Sequence, residues 1–164
     1  MKADAILNQL LRLRRLSERR ALETLLTCDG ERRRAEQAAE EAAGEAARHL
    51  AQAKAYERKH IESFAGQPVS ENAIRRFRAS LDALMEEQQR LRAVGEAKQQ
   101  TLRERLDALE EARASFRMRQ NAVNKLDHLV TQQAALTSLQ QAGLAEAADE
   151  EQSCGRPVPP ASGN

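Results

Sequence analysis

From Ile6 onward, apolar side chains recur at steps of three and four. The first stripe runs Ile6, Leu10, Leu13, Ser17, Ala21, Leu25, Cys28, Arg32, Ala35, Ala39, Ala42, Ala46, Leu50 and Ala53. Side chains at those steps share one face of an α-helix. A second stripe runs Ile74, Phe77, Leu81, Leu84, Gln88, Leu91, Gly95, Lys98, Leu102, Leu106, Leu109, Ala112, Phe116, Arg119, Val123, Leu126 and Val130. Its nearly regular three-four alternation is the seam of a left-handed coiled coil. Both stripes are narrow, so each helix buries one flank and leaves the rest to water.

Between the stripes lies "SFAGQPVSENAI", residues 63–74. Gly66 can take the left-handed conformation that ends a helix. Pro68 cannot continue a helix and pushes Gln67 toward an extended shape. Ser70 is a good N-cap, and Glu71 sets negative charge at the positive end of the next helix. Val69 and Ile74 stand at the two positions of a hydrophobic staple. A short connection between two long helices makes antiparallel neighbours. The expected fold is all-α: a long antiparallel two-helix coiled coil, or α-hairpin, over residues 1–146. Helix one is expected over about 2–64, the turn over about 65–70 and helix two over about 71–146.

Folding the chain at Gln67 sets Leu50 opposite Leu84, Leu25 opposite Leu109, Leu10 near Val123 and Ala39 opposite Gly95. The Ala-rich run "EQAAEEAAGEAARHLAQAKA" then faces the polar "QQRLRAVGEAKQQ". Close helix approach, little apolar burial and the lowest local stability are expected at this waist. At the helical rise, such a rod would be roughly 90 Å long. Asp29-Gly30 is a competing signal, since this pair forms turns. A break there would give a three-helix bundle. The seam continues through Leu25, Cys28, Arg32 and Ala35, however, with Asp29 and Gly30 on its outer side. An exposed helical Gly costs about 1 kcal/mol, which a long helix absorbs, so a continuous helix is expected.

Composition agrees with this reading. Aromatic residues are 2% of the 164, charged residues 31%, and Trp is absent. Such a chain, rich in Ala, Glu, Leu and Arg, is typical of coiled coils. The formal net charge of +1 argues against a dedicated nucleic-acid binder. No apolar run approaches the roughly 18 residues needed to cross a bilayer, and "AILNQLL" is too short for the apolar core of a signal peptide. A cytosolic location is expected. Cys28 and Cys154 are too far apart to suggest a metal site or a disulfide framework. The last stretch, "AEAADEEQSCGRPVPPASGN", is acidic and then rich in Pro, Gly and Ser. It cannot bury enough apolar surface to repay ordering, so a disordered tail is expected over 147–164.

Catalytic chemistry needs groups that converge in a pocket, and a two-helix rod has no interior to hold one. His49, His60 and His128 are spread along the chain without ligand spacing. There is no phosphate-binding Gly loop, nucleophile elbow or His-Glu-x-x-His motif. A non-enzymatic protein without cofactor is expected. The basic cluster "LLRLRRLSERR" supplies Arg12, Arg14, Arg15, Arg19 and Arg20, and Arg32 to Arg34 follow. It is either a solvated face paired with acids such as Glu104, Asp107, Glu110 and Glu111, or a positive collar for an acidic protein surface. At the other end, the turn exposes Phe64, Pro68 and Val69, a candidate docking point.

The opening "LLRLRRLSERRALETLL", a long Ala/Glu/Arg helix, then "FAGQPVSENAIRRFRASLDAL" and a second helix of similar length resemble the YscO/FliJ family of type III secretion stalk proteins. Within it the chain looks more like the injectisome YscO-like branch than the flagellar one. The resemblance covers about residues 1–145, and the Gly-x-Pro-Val-Ser turn preceded by an aromatic is its most specific piece. It implies an antiparallel two-helix coiled coil similar to the stalk of the rotary ATP synthase. It also implies that the end with the termini inserts into the pore of the hexameric secretion ATPase and promotes its activity. The rest would reach the cytoplasmic ring of the export gate, so the protein would sit in the bacterial cytoplasm, peripheral at the inner-membrane base of the apparatus. Members are also linked to export chaperones. Carried onto this chain, the ATPase contacts would be Arg12, Arg15, Arg19, Arg20, Gln120, Asn124 and His128. The export-gate contacts would be Phe64, Gly66, Pro68, Val69, Ile74 and Phe77.

Two other functions fit parts of the pattern. An RNA-binding helical arm would use the arginines on phosphates, but near-neutral charge and few stacking aromatics count against it. A chaperone-like or scaffolding coiled coil would self-associate through its exposed stripe.

Overall fold

The structure, a computed structural model, describes Lys2–Cys154. Its two elements are α1, Lys2–Phe64, and α2, Glu71–Cys154. They pack as an antiparallel all-α hairpin, with no strand among the described residues. The turn occupies 65–70, as expected. The Ala65 amide donates to the carbonyls of Ile61 at 3.1 Å and Glu62 at 3.3 Å, closing α1. Gly66 follows at φ 76°, the left-handed region that a Cβ disfavours. Ser70 caps α2: its Oγ accepts from the Ala73 amide at 3.3 Å, and its carbonyl accepts from Ile74 at 3.2 Å. Glu71 takes Arg75 at 2.6 Å within the first turn.

Asp29-Gly30 does not break α1. Asp29 is engaged inside the helix, accepting from Arg33 at 2.8 Å and Arg32 at 3.3 Å, so its side chain supports the helix rather than a turn. Both residues are half-buried beside the seam, not on the outer side. A Cβ added at Gly30 would meet nothing within 4 Å. Gly30→Ala should therefore raise stability by about 1 kcal/mol through the unfolded chain's lost freedom. Gly66→Ala should lower it by about 1–2 kcal/mol, the cost of a left-handed L-residue. Urea midpoints of the two variants should move in opposite directions.

The chain divides into two compact units. Among the described residues the first combines 2–21 with 116–154; the second is Leu22–Ser115. In the second unit Glu31 meets Arg105 at 2.9 Å and His49 meets Gln88 at 2.8 Å, the reversed order of an antiparallel pair. Its buried residues include Ala39, Ala42, Gln88, Leu91, Leu109 and Ala112. In the first unit Leu11, Val123 and Leu126 form the core, with Leu7 and Val130 packed on it.

Three expectations need correction. The first turns of α1 bury Leu7 and Leu11, whereas Ile6, Leu10 and Leu13 are exposed. The buried and half-buried positions follow one repeat, Asp4, Leu7, Leu11, Glu18, Ala21, Leu25 and Cys28, interrupted at Arg14, which is exposed. A second apolar row beside it draws the eye off phase, and Leu11 rather than Leu10 meets Val123. The waist packs closely, but with Ala39, Ala42 and the Gln88 side chain rather than at Gly95, where a Cβ would meet nothing within 4 Å. Small side chains fill this contact, so the area buried per residue stays low. Finally, α2 continues past the expected boundary at 146 to Cys154. Ala and Glu are strong helix formers, and residues 147–152 are helical while exposed. Inability to pack is not inability to form helix. The remainder of the expected tail, 155–164, lies outside the described residues.

Candidate interaction surfaces

Letter the heptad a to g, with the seam of α1 at a and d. Leu7, Leu11, Ala21 and Leu25 then fix Arg15 at e and Arg12 and Arg19 at b. On α2, Leu109, Ala112, Val123 and Leu126 fix Gln120 and Asp127 at e and Asn124 at b. In an antiparallel pair the second helix runs backward, so like flanks meet: e lies beside e, and g beside g. The ion pair of Arg15 with Asp127 at 2.9 Å joins two such e positions. The structure thus brings Arg12, Arg15, Arg19, Gln120 and Asn124 onto one face of the first unit. Arg20 falls at c, on the opposite flank, and His128 at f, on the back of α2. There its Nε2 accepts from the Gln132 amide at 3.0 Å.

The charge on this face is largely unspent. Arg15 has its carboxylate, with both side chains more than half exposed at 54% and 53%, so the pair contributes little. Arg12, Arg14 and Arg19 make no ion pair or hydrogen bond among the described residues. The acid met on this face is Asp127, not one of the four acids expected on helix two. The second basic cluster behaves otherwise. Arg32 reaches Glu36 at 2.6 Å as well as Asp29, and Arg33 also takes Asp29. Those two arginines are matched inside α1 and do not extend the collar.

At the turn, the aromatics turn inward instead of projecting. Phe64 and Phe77 are half-buried and meet edge to face, centroids 5.5 Å apart. His60 stacks on Phe77 at 5.4 Å, and Tyr56 lies 4.0 Å from His60. His60 Nδ1–H donates to the Tyr56 carbonyl at 3.0 Å, which fixes the ring. Each aromatic pair adds about 0.5–1.5 kcal/mol beyond its burial, so the cluster clamps the turn shut. A shallow cavity of about 220 Å³ opens beside it, lined by Tyr56, His60, Phe64, Arg76 and Phe77 among others. Of the residues assigned to the export gate, Gly66, Pro68 and Ile74 are exposed, Val69 is half-buried, and Phe64 and Phe77 serve the clamp.

Tyr56 and His60 are not among the expected site residues. They continue the α1 repeat past Ala53 to Phe64, and carrying the heptad two turns further finds them. Gln88, a seam position of the repeat, has a role that periodicity does not show. It is buried, accepts from His49 Nδ1–H at 2.8 Å and donates to the Ala46 carbonyl at 3.3 Å. A satisfied polar residue on a coiled-coil seam fixes register, because any slip leaves it unpaired. No described helix is long and apolar enough to cross a membrane. Comparison with protein-family models, with curated proteins and with solved structures finds no match to this chain.

Proposed function

We propose that this protein is the non-enzymatic stalk of a bacterial type III secretion system. The face carrying Arg12, Arg15 and Arg19 enters the pore of the secretion ATPase hexamer and promotes its turnover. The turn region engages the cytoplasmic ring of the export gate, with export chaperones as further partners. The protein works in the cytoplasm, peripheral to the inner-membrane base of the apparatus. One observation carries the reading: among the described residues Arg12 and Arg19 have no ion pair or hydrogen bond, and they share a face with Gln120 and Asn124. Uncompensated positive charge on a rigid helix face steers encounter with an acidic surface and sets orientation. The helical hairpin and the resemblance around residues 63–74 support the same assignment.

The test is reconstitution with a hexameric type III secretion ATPase from the same organism. The full chain should bind the assembled hexamer and raise its hydrolysis rate several-fold. Absence of both binding and stimulation removes the stalk reading. Strongly salt-dependent gel shifts of RNA in the same preparation would transfer the arginines to phosphate binding.

A further inference from the structure

The first unit has a second face, opposite the arginines, and its character is different. Positions c and g of α1 carry Ile6, Leu10 and Leu13, exposed at 65%, 40% and 60%. The same positions of α2 carry Leu129, Leu136 and Leu139, exposed at 52%, 56% and 70%. Like flanks meet in an antiparallel pair, so the two rows form one continuous apolar face. Together these side chains expose several hundred Å², the scale of the roughly 800 Å² each partner gives a standard interface. Monomers rarely leave so large a contiguous patch to water.

The lengths of the helices say what covers it. α2 has 84 residues against 63 in α1. Leu7, near the start of α1, and Val130 pack on the same core, so past it α2 runs on with no described helix beside it. Residues 138–152 are exposed throughout. An isolated helical stretch of this kind gains little in water without a packed flank.

We propose that a second copy of this chain covers the face, through a two-fold axis crossing α2 near Ala134. Such an axis makes a self-complementary contact, as in most homodimers. Leu129 of one copy then faces Leu139 of the other. The start of the second copy's α1 runs along the bare end of α2, with its Ile6 level with Leu139. Charge agrees with this arrangement. Lys125 is the one charged residue of the α2 row between Met118 and Leu139, and Glu146 follows in the same row past the leucines. The two-fold brings Lys125 within a helical turn of the second copy's Glu146, and the reverse. The opposite alignment, with the two copies parallel, would set each residue beside its own like charge. The arginine face lies outside this contact, and the dimer is tested without the ATPase, so the two proposals hold or fail separately.

Analytical ultracentrifugation of the full chain tests it. Between about 1 and about 100 μM, where interfaces of modest quality associate, the mass should rise from one chain toward two. Leu136→Glu with Leu139→Glu should weaken the dimer at least about a hundredfold by placing charge in the apolar contact. Both residues are exposed in the single chain, so helix content should not change. Lys125→Glu should weaken it roughly tenfold, and adding Glu146→Lys should restore it. A purely structural effect of either substitution would not show that rescue. A single-chain mass at every concentration overturns the proposal and leaves the face to a partner of another sequence. A dimer that ignores the double leucine variant, or a charge pair without rescue, overturns it as well.

Discussion

Leu109→Ala should lower the unfolding free energy by about 2–3 kcal/mol, seen as a lower urea midpoint with an unchanged slope. Leu109 is 2% exposed and is the most completely buried large side chain among the described residues. Removing buried methyl groups costs their transfer energy plus the cavity they leave, about 2–5 kcal/mol for Leu in globular cores. The lower half of that range applies here. The seam is one layer deep, with water on both flanks, so neighbours can close in and little void persists. Leu106 provides the internal comparison. It lies three residues away on the same helix, at e rather than on the seam, and is 45% exposed. Leu106→Ala should cost no more than about 0.5–1 kcal/mol. Equal costs for the two leucines would mean that the buried line runs elsewhere.

The second large effect concerns the proposed ATPase contact. Replacing Arg12 and Arg19 with Glu should cut stimulation of the hydrolysis rate to about a tenth or less, a loss of some 1.4 kcal/mol or more in coupling. Circular dichroism should show the helix unchanged, because neither arginine holds a partner among the described residues. Arg15 is left out for a physical reason. Arg15→Glu would set a carboxylate against Asp127, which now accepts from it at 2.9 Å, and local repulsion would be confused with lost binding. Arg20→Glu serves as the control, since its position lies on the other flank. Arg12→Lys with Arg19→Lys should keep most of the stimulation if charge alone acts, and lose it if the planar guanidinium grips a carboxylate. Salt should depress wild-type stimulation in parallel, as expected for exposed charges. Full stimulation by the glutamate variant would separate the arginine face from the ATPase.

The hairpin is legible in the sequence because its signals are local and mutually consistent. The three-four repeat, Gly66, Pro68 and the Ser70 cap each act through their own few residues of backbone. The register was legible too, since fixing the bend fixes every opposed pair: the contacts of Glu31 with Arg105 and His49 with Gln88 fall near the expected alignment. At the far end, only the stopping point of α2 differs from the expected one. A stretch poor in apolar residues cannot pack, yet Ala and Glu hold it helical to Cys154.

Side-chain pairing decided the rest. Periodicity cannot choose between two adjacent apolar rows, and only the approach of α2 shows that Leu7 and Leu11 are inside while Ile6, Leu10 and Leu13 face water. In the same way, the sequence lists arginines but does not say which are matched. Arg32 and Arg33 find carboxylates within α1, Arg15 finds Asp127 across the pair, and Arg12 and Arg19 find none among the described residues. The ring cluster at the turn depends on α2 returning Phe77 to His60 and Phe64. Which helix a chain forms follows from nearest neighbours along it. Which flank is dry, and which charge is left over, depends on residues a hundred positions away that only folding brings alongside.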